Sequence, residues 1–396
     1  MTQLFTSSPV IGGPWPGLTR QLRLGIVGGG RIAATQAMAA RMTGYWEVCA
    51  GALSSDPATA VERGKAWHLA PERCYADFDA MAQAEAGRPD GVDAVMITAP
   101  NHVHHAAAKA FLAAGIPVIC DKPLTNEASE AEDLVSTVAR QDAVFAVGFV
   151  MSCFPMVRMA REIVARGDLG DLCQIHSEFF QDFMIPDDVG QAAHIKWRLD
   201  PAKSGKTSCT ADIGTHAHHL SNFVSGSPMT HVRADMHVCG APKPLEDTVF
   251  MATRHEQDIP GTLMATRLAA GHRGGLQLRI FGRKGSLTWN LEMCDQLKIS
   301  IFGKPDQIYS RGHGHGISAP VEALVRTGRG FPEGIIEAWA NLYSEFALAI
   351  AAKADGITLP EGLIALPSVR DGAHGVRFAD AAFASHQDGG SWKKLS

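Results

Sequence analysis

Four short segments of this chain bring together groups that can do chemistry. Gly28-Gly29-Gly30-Arg31-Ile32-Ala33 spells G-x-G-x-x-A. That pattern suits a dinucleotide. Gly28 permits a tight turn, Gly30 lets the backbone approach a pyrophosphate, and Ala33 lets a helix pack close on a strand. The helix start, at Arg31 and Ile32, receives the negative charge. Pro100-Asn101-His102-Val103-His104 and Asp121-Lys122-Pro123 each follow an apolar run. Asp212-Ile213-Gly214-Thr215-His216 is followed closely by His218 and His219. On an α-helix, Asp212 and His216 stand at i and i+4 and share a face. Carboxylate, imidazole and amine are the groups that move protons in general acid–base catalysis.

The elements that must hold these groups alternate between strand and helix. Strands are expected at Leu22–Val27, Val48–Leu53, Asp93–Thr98, Pro117–Cys120 and Val144–Val147. Helices are expected at Arg31–Met42, Pro57–Trp67, His102–Ala114 and Glu127–Arg140. Apolar runs buried on both faces and separated by helices imply a parallel, doubly wound Rossmann sheet. Ligands of such sheets bind at the carboxyl ends of the strands, where the glycine loop, Pro100–His104 and Asp121–Pro123 fall. After Gly148 the rhythm changes. A helix near Pro155–Ala165 precedes alternating runs at Gln174–Phe180, His231–Val238, Thr248–Thr253, Gly261–Leu268, Leu276–Phe281 and Leu297–Phe302, with a long helix over Gly334–Ala352. This predicts an α+β domain with a large, mostly antiparallel sheet. The expected division is an arm over residues 1–21, an NAD(P)-binding Rossmann domain over 22–148, and a substrate-binding and oligomerisation domain over 149–396.

The ribose end of the dinucleotide site is less regular. Its second strand usually ends in an acid that grips the adenosine ribose; here it ends Ser54-Ser55-Asp56. Asp56 suits a helix N-cap, and serines can bond a ribose hydroxyl or a 2′-phosphate. The coenzyme is expected to be NAD, because no Arg directly follows the serines. NADP stays open, since Arg63 lies in the next helix. Ser204-Gly205-Lys206-Thr207 imitates the end of a phosphate-binding loop, but Asp200 stands where that motif needs a glycine.

Composition narrows the class. The 396 residues are 46% apolar and 19% charged, as in a globular protein. A formal charge of −5 gives no pull toward nucleic acid or anionic membrane. No run reaches the about 18 apolar residues of a membrane helix. The start lacks the regions of a secretory signal, and the eight cysteines contain no C-x-x-C pair. These features predict a cytoplasmic protein with reduced thiols.

The glycine loop, P-N-x-x-H, D-K-P and D-x-G-x-H, in this order from about Leu22 onward, resemble the glucose–fructose oxidoreductase, inositol dehydrogenase and rhizopine-catabolism (Gfo/Idh/MocA) family. The resemblance implies an NAD(P)-dependent dehydrogenase acting on a ring secondary alcohol of an unphosphorylated sugar, glycoside or cyclitol, with ring carbon 3 a common site in the family. Lys122 matches the family's lysine beside the reacting carbinol and the nicotinamide. Asp212 and His216 match the catalytic pair of inositol dehydrogenase-like members. His216 would take the hydroxyl proton, and Asp212 would hold the sugar or orient the base. Asn101 and His104 match residues on the nicotinamide side, with Pro100 before them. Trp197-Arg198 resembles a pair bordering the cleft. Asp121 departs from the usual Glu near the ribose, and Ala211 from a frequent Gly. A sugar–sugar oxidoreductase with tightly held NADP and a non-catalytic dinucleotide-binding regulator are the alternatives. A metal held by Asp212, His216 and His219 is geometrically conceivable, but the family chemistry needs none. The loop bearing His313 and His315 reads as structural. A homodimer or homotetramer, paired through an apolar open face of the sheet, is expected.

Overall fold

The structure is a computed structural model that describes residues 18, 20–186, 188, 192–312, 318–359 and 362–395. The expected arm lies almost wholly outside the described residues, as do His313 and His315. The chain forms two compact units. The first comprises residues up to Thr125, Ser129–Val150 and Ile335–Gly372. The second comprises Asn126–Ala128, Met151–Gly334 and the residues from Ala373 on.

The first unit is built on five parallel strands: β1 (Leu22–Val27), β2 (Trp46–Ala52), β3 (Ala94–Ile97), β4 (Val118–Cys120) and β5 (Phe145–Val147). Their order is β2-β1-β3-β4-β5, so the winding reverses between β1 and β3. That reversal opens a crevice at the carboxyl ends of those two strands, which is where Gly28 and Ala99-Pro100 emerge. Leu24, Ile26, Val95, Met96, Ile97, Val118 and Ile119 are buried, as expected for a sheet covered on both faces. A helix over Phe78–Ala86 also belongs here; Asp77 caps it by accepting from the Ala80 N–H at 2.8 Å.

The segment Ile335–Gly372 joins this unit, whereas the sequence placed it with the second domain. Trp46 is the physical reason. Its indole N–H donates to the Tyr343 carbonyl at 2.9 Å, and its ring stacks on Phe346 at 5.8 Å. The helix Ile335–Ala354 lies against Arg31–Met42, with the Tyr343 hydroxyl 2.8 Å from Gln36 Oε1. Burying an indole and a phenyl ring this way stabilises by several kcal/mol (about 3–5 for each aromatic removed).

The second unit carries a nine-stranded sheet. Its strands are β6 (Leu172–Phe180), β7 (Met229–His237), β8 (Thr248–His255), β9 (Pro260–Thr266), β10 (Gly275–Gly282), β11 (Gly285–Asn290), β12 (Gln296–Ile301), β13 (Gln307–Ser310) and β14 (Lys393–Lys394). The order is β13-β12-β11-β10-β6-β9-β8-β7-β14. Among the described residues only β6 and β9 pair in parallel, and the other pairs of this sheet are antiparallel. The helices Pro155–Ala165 and Thr215–Ser225 cover one face, which buries Ile175, Phe179, Leu278, Ile280 and Trp289. The other face is not the continuous apolar patch expected. Phe250 and Phe281 are exposed there, but Glu178 pairs with Arg279 at 3.5 Å and His176 contacts Thr262 at 2.8 Å. Among the described residues no helix is long and apolar enough to cross a membrane.

Candidate active site

In the first unit the glycine loop is a backbone device. Gly28 has φ +95°, and a Cβ there would lie 2.7 Å from the Ala99 nitrogen. No other residue fits. Gly30 differs. Its φ of −80° suits any residue, and a Cβ would meet no protein atom within 4 Å. The protein itself gives no reason for glycine at 30; a pyrophosphate lying against that backbone does. Gly30 begins the helix Arg31–Met42, with no side-chain cap and no acid in the first turn. Its N–H groups at Arg31 and Ile32 thus remain available to an anion. Ala33 is fully buried. These residues fit a dinucleotide.

At the ribose end, Asp56 is committed as a helix cap. Its carboxylate accepts from the Thr59 N–H at 2.8 Å, and hydrogen bonds from Thr59 hold its pKa below the ordinary value. Ser54 Oγ accepts from the Asp56 N–H at 3.1 Å, and Ser55 is exposed. Arg63 reaches back from its helix to donate to the Leu53 carbonyl at 2.7 Å, close against Gly29. The β2 terminus therefore carries serines and a guanidinium, with its nearby acid already engaged.

Past β3, Pro100 opens the helix Asn101–Ala113 and Asn101 is buried. His104 is 1% exposed, and both ring nitrogens face backbone carbonyls, Nδ1 that of Pro123 at 2.9 Å and Nε2 that of Ala99 at 2.8 Å. Burial pushes its pKa down, against the charge of Asp121. It is a strut that ties the end of β3 to the loop after β4, rather than an imidazole presented to a ligand. In that loop the Lys122 N–H donates to Asp121 Oδ1 at 2.8 Å, and Lys122 is half-buried. The Asp121 carboxylate thus folds back on its own turn, close against Gly148.

In the second unit, Asp212 and His216 would share a face if an ordinary α-helix ran through both. The structure has a π-helix over Thr210–Gly214 and an α-helix only from Thr215 to Ser225. Thr215 supplies a cause. Its hydroxyl donates to the Ala211 carbonyl at 2.8 Å and approaches the Asp212 carbonyl at 3.4 Å, loosening the ordinary ladder. Such wide turns are frequent at functional sites. Asp212 Oδ2 sits 2.7 Å from Arg267 Nη2 and 3.8 Å from Arg198 Nε. Arg198 in turn lies over the Trp197 ring, 4.4 Å from its centroid. His216 is nearly buried, edge-on to Phe179 at 6.1 Å.

His218 is a packing residue. It stacks between His374 and Phe378 at 4.9 and 4.5 Å, and its Nε2 is 2.9 Å from His374 Nδ1. Burial, then the charges of His374 and His219, push its pKa far down. His219 stacks on Phe223. Lys206, of the phosphate-loop imitation, pairs instead with Glu127 and Asp380 at 2.8 and 3.1 Å. Among the described residues no group of three metal-ligating side chains converges. Sequence reasoning missed Arg267 and Glu246. The only available signals were a cation closing the apolar run Gly261–Leu268 and an acidic pair just before β8.

Comparison with known proteins fixes the class. Residues 22–149 match the model of an oxidoreductase family with an NAD-binding Rossmann fold, and 157–288 match the GFO/IDH/MocA C-terminal domain. An inositol dehydrogenase homolog from Azotobacter vinelandii, solved with NAD+, is 32% identical, with TM-score 0.90, covering 95% of this chain and 98% of that one. The same homolog solved with NADH and myo-inositol matches at 30% identity and TM-score 0.87 over 96% and 98%. An uncharacterised oxidoreductase of Bacillus subtilis, YfiI, is 29% identical over 95% of this chain and 97% of its own. A levoglucosan dehydrogenase of Pseudarthrobacter phenanthrenivorans is 26% identical over 94% and 98%. The protein is an NAD(P)-dependent oxidoreductase with a Rossmann coenzyme domain and an antiparallel-sheet partner domain. It belongs to the Gfo/Idh/MocA family.

Proposed function

We propose that the protein oxidises a ring secondary alcohol of an unphosphorylated sugar, glycoside or cyclitol, with ring carbon 3 the first position to test. The observation that carries this reading is Asp212, fixed as an ion pair by Arg267 one helical turn before His216. The relatives named for inositol and levoglucosan support the substrate class. A bound nicotinamide supplies the hydride acceptor. His216 takes the hydroxyl proton. Asp212 orients that base or a sugar hydroxyl. Lys122 serves the same proton as acid–base partner, while Trp197 and Arg198 border the sugar. Pro100, Asn101 and Asp121 shape the coenzyme pocket, and His104 ties its walls together. Ser54 and Ser55 meet the ribose. Alcohol oxidation needs a base, and such groups contribute about 10² to 10⁴ in rate.

NAD is the proposed coenzyme. NADP use is the second reading, favoured by Arg63 at the end of β2. A screen of NAD+ and NADP+ reduction against myo-inositol, levoglucosan, alkyl glucosides and free hexoses tests the proposal. Steady turnover with at least one of these sugars is expected. Intact coenzyme binding with no turnover on any of them would favour a regulator. We also propose a cytoplasmic homodimer or homotetramer, in keeping with eight cysteines that form no disulfide among the described residues and with Phe250 and Phe281 exposed on the open sheet face. Light scattering that gives only the 42.3 kDa monomer would count against the assembly.

A further inference from the structure

We infer that Arg267 is a positioning residue for the reaction: a buried guanidinium that sets where the Asp212 carboxylate stands. The inference rests on the reading that Asp212 serves catalysis. Arg267 directly follows β9, and its backbone is held on both sides. Its N–H donates to the Asp247 carbonyl at 3.0 Å, and its carbonyl accepts from the Met184 N–H at 3.2 Å. From that fixed base the side chain, 1% exposed, reaches the first turn of the helix that bears Asp212. Nη2 donates to Asp212 Oδ2 at 2.7 Å and to the Ser208 carbonyl at 3.0 Å; Nη1 donates to Ser208 Oγ at 2.7 Å. Glu246, also buried, grips the same turn from its other side. It accepts from the Ser208 N–H at 2.9 Å and from the Thr210 N–H at 2.8 Å. Ser208 is thus clamped through its N–H, its carbonyl and its hydroxyl, and Asp212 hangs from the same clamp.

Stability alone explains this poorly. Buried ion pairs seldom outperform apolar packing of equal volume. Among the described residues Arg267 Nε has no hydrogen-bond partner, which is a further cost. What the arrangement supplies is geometry. A planar fork holds its donors on two nitrogens at fixed angles, a geometry that the rotatable ammonium of a lysine does not reproduce. The Asp212 N–H still bonds to the Ser208 carbonyl at 3.0 Å as the π turn begins, and the residue after β9 adds a tertiary hold on the carboxylate itself.

The test is a double-mutant cycle on full-length protein, read with the sugar giving the highest wild-type rate. Arg267→Met should lower kcat about 10²-fold, as small misplacements of catalytic groups do. NADH affinity should stay within a few-fold. In an Asp212→Asn background the same substitution should cost almost nothing further, and Arg267→Lys should recover only part of the loss. A crystal structure of Arg267→Met gives a readout independent of turnover, in which the Asp212 carboxylate should be displaced. If Arg267→Met does not fold, Arg267→Lys carries the same cycle and the same crystallographic comparison. Equal losses in both backgrounds, or an undisplaced carboxylate, would overturn the inference while leaving the function intact. Wild-type turnover in Asp212→Asn would instead remove Asp212 from the reaction and overturn the inference together with the role given to that carboxylate, the sugar oxidation itself standing.

Discussion

The coenzyme loop of the first unit is made of backbone, whereas the Asp212 turn of the second is made of side-chain charge. Gly28 works by what it lacks: a Cβ would collide with Ala99. Asp212 works through Arg267, which lies 55 positions away in the chain. Backbone geometry fixes the first site, and ion pairing between side chains fixes the second. The two should therefore fail differently when altered. Damage to the loop should appear in coenzyme affinity. Damage to the Asp212 turn should appear in kcat.

The largest expected effect tests whether chemistry can be lost with coenzyme binding intact. Lys122→Ala should lower kcat by about 10² to 10⁴ and leave NADH affinity within a few-fold. Steady-state kinetics with a fluorescence titration decide it, and a variant that keeps most of its kcat removes Lys122 from the acid–base role. The loop gives the converse case. Gly28→Val should damage folding and coenzyme binding together, because of φ +95° and the 2.7 Å approach. Gly30→Ala should leave thermal stability nearly unchanged, yet weaken NADH binding roughly tenfold, a loss of about 1.4 kcal/mol. Unaltered NADH affinity in Gly30→Ala would mean that no pyrophosphate lies against that backbone.

Arg63, whose side chain packs against that loop, offers a smaller effect. Comparing kcat/KM for the two coenzymes in wild type and in Arg63→Ala should show a wild-type preference for NAD, with any NADP activity falling several-fold in the variant. A strong NADP preference that collapses in Arg63→Ala would reverse the coenzyme assignment.

The smallest expected effect concerns stability of the second unit at low pH. Burial, partly offset by the Ser227 carbonyl, lowers the pKa of His255 to about 4. An unfolded histidine titrates near about 6.5. Between those values the unfolded chain binds more protons, so stability falls as pH drops through that window. His218 acts in the same direction. The midpoint of thermal unfolding should decline from pH 7 toward pH 4, with a shallower decline in His255→Asn; an identical slope would exclude His255 as a contributor.

Sequence legibility followed the same division. β1, the glycine loop and the helix after it were readable because strand run, turn and cap are local patterns. Asp56 was readable as a cap for the same reason. The Arg267–Asp212 pair was not, because nothing in the spacing of two isolated charges says that strand β9 delivers one to the other. The π turn was hidden because it depends on the Thr215 hydroxyl choosing a backbone carbonyl. The helix Val369–Gln387 was missed because Gly372 and Gly375 weaken its pattern. Gly372 is needed there, since a Cβ would lie 2.9 Å from Leu124. Ile335–Gly372 was assigned by position along the chain, whereas Trp46, Tyr343 and Phe346 assign it by packing.

The most direct test of the central claim is the pH dependence of alcohol oxidation in wild type and in His216→Ala. The base must be unprotonated to accept the hydroxyl proton, so the wild-type rate should rise with pH. His216→Ala should lose rate and flatten that rise, with and without a chelator. The same pH profile surviving unchanged in His216→Ala would contradict the account.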